Sequence, residues 1–73
     1  MKLWELRPAG TPAPDTVIGF VVRAETETAA RMLAREEAGA EGGFVWLDDK
    51  LSTCVELLAE GDAGVIVADF DPA

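Results

Sequence analysis

Apolar and polar positions alternate over residues 2–7. In an extended chain Trp4 and Leu6 share one side with Lys2, while Leu3, Glu5 and Arg7 share the other. This pattern predicts a strand with one apolar and one mostly wet face, lying towards a sheet edge. Residues 17–23 do not alternate: Val17, Ile18, Gly19, Phe20, Val21 and Val22 are all non-polar, and the first polar residue is Arg23. A strand with two apolar faces belongs in the middle of a sheet. Between the two strands, Pro8, Gly10, Pro12 and Pro14 make residues 8–16 a loop, because proline lacks the amide that a central ladder needs.

After Arg23 the period becomes helical. Ala29, Ala30, Met32 and Leu33 fall on one side of a helix over residues 26–38 and are expected to cover the sheet. Thr26 is a favourable N-cap with Ala29 at N3, and Glu27 and Arg31 form a well-oriented i,i+4 pair. Gly39 is expected just past the end, where a left-handed residue is common. Phe44–Leu47 reads as a short return to extended structure, and Asp48, Asp49 and Lys50 as a turn. Residues 52–58 and 64–70 are expected to close the fold as a hairpin, with Gly61 and Gly64 supplying the turn.

These elements predict one α+β domain over residues 1–73. It is a two-layer sandwich: a mainly antiparallel sheet of four or five strands with one helix on one face, in the order β-β-α-β-β(-β). Residues 17–23, the helix and a later strand would form a right-handed crossover. One helix cannot cover such a sheet on both sides. The opposite face is therefore expected to expose Trp4, Trp46 or Phe44, or to meet a second copy in a homodimer.

Composition narrows the class. A chain of 73 residues buries roughly 60% of its unfolded surface, yet 49% hydrophobic content argues against disorder. No apolar run approaches the roughly 18 residues that span a bilayer, and no signal-peptide pattern opens the chain, so no membrane association is expected. Cys54 is the single cysteine and cannot form an intramolecular disulfide, which suits a reducing cytoplasm. Its strand-like surroundings point to a small buried hydrophobe rather than a nucleophile.

Charge is unevenly spread. The formal net charge is −8, with five bases and four acids in residues 1–35 but only Lys50 against ten acids in residues 36–73. That second part would repel a phosphate backbone and attract a basic protein surface. Glu36, Glu37, Glu41, Asp48, Asp49, Glu60 and Asp62 are the candidate partner-binding residues, lying at the end of the helix and in the loops after it.

Catalytic chemistry has little to work with. The chain has no histidine, tyrosine, asparagine or glutamine, and Ser52 is its only serine, so no nucleophile has a neighbouring imidazole base. Glu56, in an otherwise apolar strand, is the best candidate for a carboxylate with a raised pKa; its expected place is the wet face. The glycines at 39, 42 and 43 follow a helix instead of leading into one, the wrong order for a phosphate cradle. Asp48-Asp49 and Asp69-Phe70-Asp71 lack the alternating oxygen ligands of a calcium loop, and neither histidine nor a cysteine pair offers a transition-metal site. The reading is of a non-enzymatic protein with no cofactor and no metal.

The segments Met1-Lys2-Leu3-Trp4 with Leu6-Arg7-Pro8, Gly19 to Glu25, Trp46-Leu47-Asp48 and Ser52 to Leu57 resemble a set of small uncharacterised bacterial and phage proteins. In size, acidity and α+β character the chain is also similar to phage anti-CRISPR proteins, including type I-C inhibitors, with no shared motif. That resemblance implies an inhibitor that mimics DNA charge and blocks the basic groove of a nucleic-acid-binding effector complex. The alternative is a self-associating structural or assembly module whose acidity serves only solubility.

Overall fold

A computed structural model of the chain describes residues 1–10 and 13–67. The elements are β1 (Lys2–Pro8), β2 (Phe20–Ala24), α1 (Glu27–Glu36), α2 (Phe44–Leu47) and β3 (Ser52–Leu57). The sheet has three strands in the order β2-β1-β3, and both pairings are antiparallel. β2 and β3 therefore run parallel to each other with β1 between them, and α1 lies in the connection that joins them.

This corrects the expected sheet of four or five strands in the order β-β-α-β-β(-β). Among the described residues, two predicted strands are not seen. Phe44–Leu47 is a single helical turn, closed by the Trp46 amide on the Gly43 carbonyl (3.1 Å) and the Asp48 amide on the Phe44 carbonyl (3.1 Å). A strand would put Phe44 and Trp46 on one face. The helical turn separates them, burying Trp46 and exposing Phe44 together with Leu47, three positions on. The predicted strand 64–70 is not seen over its described part: residues 64–67 form no strand, and residues 68–70 lie outside the described residues. β3 satisfies its ladder on β1 instead, so no hairpin turn at Gly61–Gly64 is needed.

The strand positions are also exchanged. β1, expected near an edge, is central, and β2, expected in the centre, is an edge strand with Val21 57% exposed. Its apolar second face fills no core; it is part of an uncovered surface.

α1 matches its capping residues well at the start. The Thr26 hydroxyl accepts from the Ala29 amide at 3.2 Å, Glu27 lies in the first turn, and Arg35 in the last. Its far end differs from expectation. The helix stops at Glu36 with Glu37 as C-cap, and Gly39 has no positive φ. Gly39 is required for closeness: a Cβ there would lie 2.6 Å from the Asp15 carbonyl, which also accepts the Ala40 amide at 3.0 Å. The buried face of α1 is Ala30, Arg31 and Ala34, whereas Met32 and Leu33, expected to cover the sheet, remain largely exposed.

The core lies between the sheet and the two helices. Leu6, Ala24, Ala30, Ala34 and Trp46 are buried, with Trp4, Val17, Phe20, Val22, Val45 and Cys54 packed around them. The Phe20 and Trp46 rings meet edge to face, 4.8 Å apart. Trp4 shares this side and donates its indole N–H to the Ala24 carbonyl at 3.0 Å. Neither tryptophan reaches the uncovered sheet face, which instead presents Leu3, Val21 and Val55. No helix of the described residues is long and apolar enough to cross a membrane.

Candidate interaction site

Two polar anchors hold the helical layer in place and determine which charges remain outside. The first is Arg31, 7% exposed. Its guanidinium donates to the Trp46 carbonyl (3.0 Å), the Ser52 hydroxyl (2.9 Å), the Ser52 carbonyl (3.2 Å) and the Glu27 carboxylate (2.9 Å). One planar fork thus ties α1, α2 and β3 together, a role that suits arginine's fixed donor geometry. The apolar pattern of α1 gives no sign of it. Ser52, equally buried, also donates to the Asp48 carbonyl at 3.3 Å.

The second anchor is Glu41. One carboxylate oxygen, Oε1, accepts the Val17 amide (3.1 Å) and the Gly39 amide (3.0 Å); Oε2 accepts the Trp46 indole N–H (2.7 Å). Burial by itself raises the pKa of this carboxyl. The hydrogen bonds from Trp46 and from the Glu41, Val17 and Gly39 amides outweigh it, and the net shift is downward. These bonds favour the charged form of Glu41.

These anchors divide the seven sequence-predicted partner residues. Glu36 and Glu37 lie at the end of α1, exposed. Asp48 caps α2 with its backbone and takes the Lys50 amide on its carboxylate at 2.8 Å, while Asp49 is exposed in the turn that follows. Glu41 is turned inward. Glu60 and Asp62 are exposed beyond the far end of β3. β3 begins opposite Pro8 and ends opposite Leu3, so about 17 Å of strand separates Asp48–Asp49 from the segment bearing Glu60 and Asp62. The seven residues do not form one patch.

Sequence reasoning missed what lies beside Glu36, Glu37, Asp48 and Asp49. Phe44 is 83% exposed and, with Leu47, Gly43 and Arg35, borders a shallow recess of about 270 Å³. Arg35 immediately precedes Glu36, and Asp48 immediately follows Leu47. A bare aromatic ring thus stands beside the cation Arg35, with carboxylates next in sequence to two of the residues around it. The available signal was the spacing of Phe44 and Leu47, three apart as on one side of a helix, but four apolar residues in a row read equally well as a strand.

Glu56, expected on the wet face, stands opposite Trp4 on the helix side of the sheet and pairs with Lys2 at 3.8 Å. Cys54 faces the core beside Leu6. Burial, and then the charge of Glu27, pushes its thiol pKa up, with Arg31 partly opposing. Among the described residues no group of three acidic or cysteine side chains is placed to share a metal ion. The Asp69-Phe70-Asp71 motif lies outside the described residues.

A second concavity, a cleft of about 380 Å³, opens where the loop after β1 passes the α2 region. Pro14, Val17, Val45, Trp46 and Leu51 wall it, and Glu41 is its one acidic lining residue. In comparisons with known proteins, the chain matches no family model, no curated protein and no solved structure.

Proposed function

We propose that this chain is a non-enzymatic interaction protein that docks a basic protein surface through Phe44, with Leu47 beside it and Glu36, Glu37, Asp48 and Asp49 around it. The carrying observation is the 83% exposure of Phe44, in a stretch of chain with Glu36 and Glu37 before it and Asp48 and Asp49 after it. A large aromatic side chain left in water is costly unless a partner covers it, and aromatic anchors inside a polar rim dominate binding energy at interfaces. The surrounding carboxylates would steer a basic partner and make the complex sensitive to salt. Blocking a nucleic-acid-binding effector, as phage anti-CRISPR inhibitors do, is the sharper form of this reading. In that form the four outer carboxylates, not all seven candidates, would stand in for phosphates.

The test is a tagged pull-down at low and high salt, repeated with Phe44→Ser and with lysine at positions 36, 37, 48 and 49. Capture of one basic nucleic-acid-binding protein, lost at high salt and in both variants, supports the proposal. A partner retained by both variants refutes it.

One observation favours self-association as a second reading. On the sheet face away from the helices, Val21 (57%) and Val55 (58%) are exposed on either side of Glu5, which pairs with Arg7 at 3.2 Å. A face carrying both an acid and a base can be complementary to its own copy. Sedimentation of the wild type against Val21→Glu with Val55→Glu decides it: a dimer dissolved by the pair of substitutions supports the reading, and a wild-type monomer at high concentration removes it.

A further inference from the structure

The cleft beside Trp46 is independent of the Phe44 surface and has its own chemistry. Its walls are apolar: Pro14, Val17, Val45, Trp46 and Leu51. Its volume, about 380 Å³, falls within the range of small-molecule sites. Glu41 lines it with a carboxylate whose donors are all uncharged: its own amide and, from elsewhere in the chain, the Val17 and Gly39 amides and the Trp46 indole. Among the described residues no cation pairs with Glu41.

All of these donors are neutral, the Glu41 amide included, so the hydrogen bonds hold the carboxylate in place without cancelling its charge. Among the described residues that negative charge has no cation beside it, at the edge of an apolar cleft.

We infer that this cleft is a binding site for a small organic cation, an ammonium or amidinium group on a compact apolar body. The cationic head meets the Glu41 carboxylate, and the body lies against Val45 and Leu51. The opposite charge excludes anions, and a neutral molecule of the same shape gains only the apolar contacts. Charge-assisted hydrogen bonds are about twice as strong as neutral ones, so the head group decides selectivity.

The test uses benzylammonium and benzyl alcohol, matched in shape and different in charge, titrated into the full chain and followed by amide and indole NMR shifts. Benzylammonium is expected to bind at about millimolar strength and benzyl alcohol about tenfold more weakly. The shifts should centre on three donors to Glu41: the Val17 amide, the Gly39 amide and the Trp46 indole. The Trp4 indole, bonded to Ala24, should stay still. Glu41→Gln should abolish the preference for the cation. If that variant does not fold, Leu51→Arg supplies the control, because Leu51 is an exposed rim residue and a fixed cation there should exclude benzylammonium. Equal affinity for the two probes, shifts centred elsewhere, or undiminished binding to Leu51→Arg would each overturn the site.

Discussion

Arg31→Met is the most informative single substitution in this fold. Methionine keeps an unbranched side chain of similar reach, so little packing is lost and the change falls mainly on hydrogen bonding. Three buried acceptors lose their donor: the Trp46 carbonyl, the Ser52 carbonyl and the Ser52 hydroxyl. At about 1 kcal/mol net for each, the expected loss is about 3 kcal/mol. For 73 residues total stability is roughly 4–11 kcal/mol, so one substitution removes a large share of it. The Glu27 contact adds little, because Glu27 is 49% exposed in its side chain and an i,i+4 pair of this kind contributes about 0.5 kcal/mol or less. Urea unfolding followed by tryptophan fluorescence measures both. Arg31→Met should lower the midpoint by several times more than Glu27→Ala. If the two cost the same, or if Arg31→Met costs under about 1 kcal/mol, the guanidinium is not what joins α1, α2 and β3.

Further expectations follow from the same geometry. Gly39→Ala should destabilise by about 1–3 kcal/mol in thermal unfolding, because the new methyl group meets the Asp15 carbonyl at 2.6 Å. Glu41 has a folded pKa below its unfolded value, so its contribution is present above the ordinary glutamate range and lost as pH falls through the lowered folded value. Unfolding measured from neutral to acid pH should show that decline, and Glu41→Gln should flatten it. Phe44→Ser should leave the unfolding free energy within about 0.5 kcal/mol of wild type while weakening partner binding at least about tenfold, measured by calorimetry.

What could be read from the sequence was local. The Thr26 cap, its bond to Ala29, the Glu27–Arg31 pair and the two faces of β1 all depend on residues within a few positions of each other. What escaped was set by distant partners. β1 alternates like an edge strand, yet it is central because its wet side is the uncovered face of the whole sheet. β2 looks doubly buried because that same face is apolar at Val21. Arg31 reads as a solvent-exposed half of a helix pair, and only the arrival of Trp46 and Ser52 turns it into a buried anchor. Glu41 reads as one more surface charge, yet its carboxylate is bonded to Val17, Gly39 and Trp46. Its inward turn depends on Trp46, five residues on, adopting a helical rather than an extended backbone. The Phe44 surface escaped for the same reason.

The central place of β1 also bears on how the chain is made. β1 leaves the ribosome before β2 and β3, yet both must form on it, and its register with β3 joins Leu3 to Leu57. A nascent chain can close the β1–β2 hairpin early, but β1 keeps one bare edge until residues 52–57 emerge. At synthesis rates of roughly 5–20 residues per second, that interval lasts on the order of seconds, long enough for a chaperone or a neighbouring nascent chain to reach the edge first.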